Sequence, residues 1–140
     1  MKDAELVRLA FEAREHAYTP YSHWTVGAAL LTAQGEVYQG CNIENAAYTP
    51  SNCAERTAFF KAIYEGEREF AAIAVVGGPE GQDAPAFCAP CGVCRQVMRE
   101  FCDLDAFRII LADSAGNSKV YTLRELLPES FGPENLGKER

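Results

Sequence analysis

The chain has 140 residues, 48% hydrophobic and 24% charged, with 13 basic against 20 acidic side chains and a formal net charge of −7. This length suits one domain over residues 1–140 with a real core, and the balance excludes a disordered acidic tail, a low-complexity chain and a nucleic-acid binder, which needs a basic patch. No apolar run approaches the ~20 residues of a membrane span, and Met1-Lys2-Asp3-Ala4-Glu5 lacks the apolar stretch of a signal peptide, so a soluble cytoplasmic protein with no membrane partner is expected.

Asp3 is placed to cap a helix whose apolar positions Leu6, Leu9, Ala10 and Ala13 recur at three- and four-residue spacing and fade near His16. Val26–Leu31 reads as a strand, turned by Gln34-Gly35 into a second strand over Glu36–Cys41. Residues 42–52, rich in Asn, Pro, Thr and Ser, form a loop. Ala54–Glu65 is a helix by composition, with Gly66 to end it. Ala71–Val76 is continuously apolar, as a central strand covered on both faces must be. A loop over Gly77–Pro90 leads into a helix over Gly92–Phe101, with Val93, Val97 and Phe101 on one stripe. Phe107–Ala112 is the next strand, Lys119–Tyr121 the last, and Thr122 caps a short helix that Pro128 ends. No repeat or linker is visible. Strands paired early and alternating with helices later predict a mixed sheet with helices on both faces.

Six cysteines stand out: Cys41, Cys53, Cys88, Cys91, Cys94 and Cys102. In a reducing compartment, clustered thiols bind metal or do chemistry more often than they form disulfides. A bare Cys-x-x-Cys is open to several readings: a redox pair, half a zinc site, or two core thiols. Here Cys91-x-x-Cys94 is accompanied by Cys53-Ala54-Glu55, and each motif opens a predicted helix, where backbone N–H groups favour anions. Three thiolates would give zinc three protein ligands and leave one position for water. Three negative charges against two positive leave −1, which two helix N-termini and Arg56 can offset. Such a water needs a proton carrier that is not a ligand, and Glu55 fits that role, with charge complementarity at a helix start as its plain alternative. Cys88-x-x-Cys91-x-x-Cys94 is also part of an iron–sulfur run, but position 98 is Met98 and the run is broken. A closed site with Cys88 as fourth ligand would be structural. Cys41 and Cys102 read as packing thiols, and His16 and His23 as surface or turn residues.

Cys-x-Glu followed by Pro-Cys-x-x-Cys is the signature of zinc-dependent nucleoside and nucleobase deaminases. With Tyr21-Ser22, Val26-Gly27-Ala28-Ala29-Leu30, Asn42-Ile43-Glu44-Asn45-Ala46, Asn52-Cys53-Ala54-Glu55-Arg56-Thr57-Ala58, Pro90-Cys91-Gly92, Cys94-Arg95-Gln96 and Leu126-Leu127-Pro128, the chain resembles the small homotetrameric cytidine deaminases along nearly its whole length. The resemblance implies an α/β fold of the three-layer α/β/α type around a mixed five-stranded sheet. It implies one Zn²⁺ per subunit on Cys53, Cys91 and Cys94, and Glu55 moving a proton from the attacking water to the base of a small nucleoside. It implies hydrolysis of cytidine and 2′-deoxycytidine to uridine, 2′-deoxyuridine and ammonia, in pyrimidine salvage. Asn42 and Glu44 match the family's ribose clamp, and Ala54 donates a backbone N–H near the base. Arg56 matches the arginine that hydrogen-bonds the zinc thiolates. Gln96 is either a support of the site or a helix-surface residue. Trp24 departs from the family's common Phe, so its indole either stacks near the base or packs in the core. Ala46, Tyr48 and Phe131 match residues lent across subunit interfaces of a homotetramer. Two rival readings share the zinc motifs: a small-molecule deaminase of the blasticidin-S type, and a non-catalytic zinc-stabilised interaction module.

Overall fold

A computed structural model describes residues 1–138 and contains α1 (Asp3–Arg14), β1 (Trp24–Thr32), β2 (Val37–Cys41), α2 (Ala54–Tyr64), β3 (Phe70–Pro79), α3 (Gly92–Phe101), β4 (Arg108–Ala112), β5 (Ser118–Thr122), α4 (Leu123–Leu126) and a 3₁₀ turn at Pro133–Leu136. The five strands form one sheet in the order β2-β1-β3-β4-β5. β1 runs antiparallel to both β2 and β3, and β4 antiparallel to β5. β3 and β4 are the parallel pair, Ala72 opposite Arg108 and Val75 opposite Leu111, and α3 is the helix that the parallel connection requires.

Alternation along the strands sends side chains to two separate cores. On one face, Leu6 and Ala10 of α1 pack on Ala29, Ala72, Ala74, Val76, Ile110 and Ala112. On the other, Ala58, Phe59 and Ala62 of α2 and Met98 of α3 pack on Leu30, Ile73, Val75, Ile109 and Leu111. Phe59 is the hub, with ring centroids 5.1 Å from Phe70, 6.3 Å from Phe101 and 6.2 Å from Phe107. The expected α/β/α layers and mixed five-stranded sheet are therefore present.

Close backbone approach seats both outer layers. A Cβ on Gly40 would lie 2.3 Å from the Ala54 carbonyl oxygen and 2.5 Å from the Ala58 nitrogen, so α2 lies directly on β2. A Cβ on Gly27 would meet the Ala10 carbonyl oxygen at 2.0 Å, which fixes α1 in the same way.

Several boundaries differ from expectation. Asp3 does not cap α1: Lys2 holds the cap position without a side-chain bond, and the Asp3 carboxylate pairs with Arg108 of β4 instead. β1 starts two residues early, at Trp24, and β3 continues through Gly77, Gly78 and Pro79, which the sequence suggests as loop. Glycine lets it continue: Cys88 packs where a Gly77 side chain would be, and the Arg14 guanidinium and the 83–84 backbone where one on Gly78 would be. Gly66 ends α2 with φ +96°, as expected, and Thr122 caps α4 in a capping box with Glu125.

The Gly40 contact yields a prediction. Gly40→Ala forces α2 off β2 against rigid backbone, which costs about 3 kcal/mol in a urea unfolding measurement. An equivalent Ala at Gly92, where nothing lies within 4 Å, shows no such clash.

Candidate active site

The two inner helices, α2 and α3, start at the same end of one sheet face, and each starts at a cysteine. Cys53 is the N-cap of α2 and Cys91 the N-cap of α3, both in extended backbone and neither providing a side-chain cap. The positive end of each helix dipole lies at its cysteine, an environment that favours thiolate over thiol. Cys94, one turn into α3, is buried and points to the same place.

The three Sγ atoms lie within 4.8 Å of one another, Cys53 and Cys91 at 3.7 Å. Among the described residues this is the cluster able to hold a metal ion, and Cys88, His16 and His23 stand outside it. Three soft sulfur donors suit zinc, and the protein supplies three ligands rather than the four of a closed structural site. The surroundings fit a charged thiolate–metal centre as well. Arg56 donates from Nη2 to Cys53 Sγ at 3.3 Å, and its Nε is buried with no hydrogen-bond partner.

In the metal-free protein the Cys53 and Cys94 thiols interact, and their pKa values shift in opposite directions. The Cys94 thiol donates to Cys53, which together with Arg56 and Cys91 brings Cys53 down to about 5 against the opposing effect of burial. The same hydrogen bond, with burial, drives Cys94 up. Glu55 follows Cys53 by two residues on α2, and its side chain is buried, with 3% of the residue exposed. Burial, reinforced by the Cys53 charge, pushes its carboxyl up to about 7. A carboxyl balanced near neutral pH beside a metal-ligand cluster can both accept and donate a proton.

The remaining candidates are held by contacts of their own. Asn42 bridges the end of β1, its Oδ1 accepting from Val26 N–H at 2.8 Å and its Nδ2 donating to the Trp24 carbonyl at 2.8 Å. Glu44 accepts from the Tyr21 and Ser22 amides at 3.0 and 3.1 Å and from the Ser22 hydroxyl. Burial pushes its carboxyl up, but these hydrogen bonds outweigh it and hold the carboxyl below its ordinary value. Glu44 lines a cavity of about 300 Å³ with Tyr21, Ser22, Asn45, Tyr48 and Ser51. Asn45 shapes the turn, its side chain accepting from Ala47 N–H at 2.9 Å. Tyr48, in left-handed backbone with φ +65° and 73% exposed, projects outward beside exposed Ala46, and Phe131 is 59% exposed. Trp24 is not a core residue: it is 42% exposed and lies against the Cys88 thiol, which burial pushes up. Ala54 is fully buried under Gly40. Gln96 donates to the Phe131 carbonyl at 2.9 Å, a contact across 35 residues that no local pattern reveals.

Comparison with known proteins agrees with this geometry. Residues 1–109 match the family model described as the cytidine and deoxycytidylate deaminase zinc-binding region. A cytidine deaminase of Sporosarcina psychrophila is 48% identical over 132 residues, 94% of this chain and 93% of that protein. One of Halalkalibacterium halodurans is 49% identical over 131 residues, 94% and 95% of the two chains. A crystal structure of cytidine deaminase from Burkholderia pseudomallei superposes with a TM-score of 0.85 at 48% identity, over 94% of this chain and all of that one.

The Glu55 environment makes a stability prediction for the metal-free protein. Its folded value of about 7 lies above the ordinary 4.5, so the folded state holds the proton more tightly. That contribution is present below pH 4.5 and is lost as pH rises through 7. Urea unfolding of metal-free Glu55→Gln and the parent chain should agree near pH 4 and differ at pH 8 by on the order of 3 kcal/mol, the variant being more stable. A difference that does not change with pH contradicts the buried, proton-holding Glu55.

Proposed function

The chain belongs to the cytidine and deoxycytidylate deaminase zinc-binding family, and from that premise we propose that it hydrolyses cytidine and 2′-deoxycytidine to uridine and 2′-deoxyuridine, releasing ammonia, as a step of pyrimidine salvage. The observation that carries this reading is the three-thiol cluster with one buried carboxyl two residues from a ligand. Cys53, Cys91 and Cys94 would hold zinc, which would make a water ionise far more readily than in bulk. A closed four-thiol module finds no support, since Cys88 lies outside the cluster.

Glu55 carries the proton work. Its carboxylate takes a proton from the attacking water and, as oxygen bonds to C4 of the base, delivers it to the ring nitrogen. Glu55 then passes the proton of the new C4 hydroxyl to the exocyclic amine, so that the C4–N bond breaks, ammonia leaves and the C4 carbonyl forms. One carboxyl within reach of both the water and the ring nitrogen can accept a proton and then donate it. Arg56 donates to the Cys53 sulfur, and with zinc bound this hydrogen bond would draw charge from the thiolate and keep the metal electrophilic.

Asn42 and Glu44 are assigned to the sugar. Each is held in place by part of its hydrogen-bonding capacity and keeps the rest: Asn42 one N–H and one lone pair, Glu44 an acceptor site beside the cavity. The Ala54 amide, at the start of α2, and the Trp24 ring are assigned to the base. Exposed Ala46, Tyr48 and Phe131 are assigned to the sites of neighbouring copies in a homotetramer. Their outward projection supports this, as do Phe60 and Tyr64 of α2, 50% and 87% exposed. A cytoplasmic enzyme acting on a neutral nucleoside agrees with the acidic charge balance and with described helices none of which could cross a membrane.

Two measurements test the reading. Glu55→Gln keeps zinc at one per chain by metal analysis and lowers kcat on cytidine by a factor of about 10²–10⁴, followed by ammonia release. Stripping zinc with a chelator abolishes turnover in the parent chain, and re-adding zinc restores it. Normal turnover in either case overturns the assignment.

A further inference from the structure

Beyond the cysteine-bearing turn, α3 carries a second set of polar side chains, and they all reach the C-terminal segment. Arg95 donates to the Pro90 carbonyl and, from Nη1, to the Leu126 carbonyl, both at 2.7 Å. Gln96 Nε2 donates to the Phe131 carbonyl at 2.9 Å. Arg99, only 5% exposed, donates from Nε to Ser130 Oγ and from Nη1 to Glu134 Oε1, each at 2.9 Å. Its guanidinium lies flat on the backbone: a Cβ on Gly132 would fall 2.2 Å from Cζ.

A buried arginine used on an exposed tail needs a reason. Burying a guanidinium carries a desolvation cost that only good geometry repays, and a tail with no task could be left free in solvent. Here the buried fork grips residues 130, 132 and 134, and Gln96 grips 131. The chain enters the grip through Glu129 with φ +51°, a strained conformation for a non-glycine residue. What protrudes from this fixed backbone is the Phe131 ring, 59% exposed. Backbone is held on both sides of a ring that touches solvent.

We propose that Arg99 and Gln96, with Gly132 beneath the guanidinium, are positioning residues that fix Phe131 for use by a second copy of the chain. This rests on the reading that Phe131 completes a neighbour's nucleoside site. The clamp stands on the helix whose start bears Cys91 and Cys94. One rigid element therefore ties a subunit's own metal ligands to the ring it lends, and spacing between sites is set by α3 rather than by a flexible tail.

The test is a double-mutant cycle on the zinc-loaded assembled protein, reading kcat and KM for cytidine, zinc content and oligomeric state. Phe131→Ala raises KM about ten-fold. Arg99→Met raises KM by a similar factor, with kcat and zinc content within about two-fold of the parent chain. The double variant is no worse than Phe131→Ala alone. Gln96→Ala, an exposed position that leaves the buried core intact, raises KM about three-fold and gives the second arm should Arg99→Met fail to fold. If Phe131→Ala raises KM while Arg99→Met and Gln96→Ala do not, or if the effects simply multiply, the clamp is overturned and the shared site stands. If Phe131→Ala leaves KM unchanged, the shared-site reading itself falls. A merely structural role would lower thermal stability and leave KM of the assembled protein unmoved.

Discussion

Everything in this molecule depends on bringing three sulfurs within 4.8 Å of one another without leaving their charge unanswered. Packed thiolates repel, and a cluster of them is stable only where positive potential meets it. Two helix N-termini and one guanidinium supply that potential, and the sheet exists to aim them. The single parallel pair, β3 with β4, makes α3 a crossover helix on the same face as α2. The absent side chain at Gly40 lets α2 lie close enough for its N-cap cysteine to reach the other two. Packing at the sheet and chemistry at the rim are one constraint, because tilting either helix would move a ligand.

The same potential governs Glu55. A carboxyl beside a thiolate cluster inside the protein is pushed towards neutrality, and that environment suits a proton carrier. The side chain that is costly to bury in the metal-free protein is the one assigned the proton transfers. Arg56 belongs to this balance too, since one of its N–H groups is buried with no partner, a cost that makes sense beside sulfurs carrying charge.

Much of this was legible in the sequence, for reasons that differ by residue. Cys53 and Glu55 share one helical turn and Cys91 and Cys94 another, so local geometry preserves each pair, while the meeting of the two pairs depends on the fold. The apolar run at 71–76 reads as a buried strand because both of its faces are covered, and Thr122 caps its helix through a bond that spans three residues. Asp3 was misleading because a helix-start carboxylate has two good partners, and a tertiary one, Arg108, wins. The strand through Gly77 and Gly78 was hidden because glycine reads as a turn, while here it makes room for Cys88 and Arg14. Of the surrounding residues, Asn42 and Glu44 were visible by resemblance, but their bonds to β1 and to the Tyr21-Ser22 turn were not. The grip of Gln96 and Arg99 on the C-terminal segment joins positions about 35 residues apart, and periodicity carries no trace of it.

The central claim is a metal held by three cysteines with one position left open beside Glu55. X-ray absorption at the zinc edge of the loaded protein tests it most directly. The account predicts three sulfur scatterers at about 2.3 Å and one lighter oxygen scatterer near 2.0 Å. Four sulfurs, with Cys88 recruited as the last, would make the site closed and structural and would contradict it.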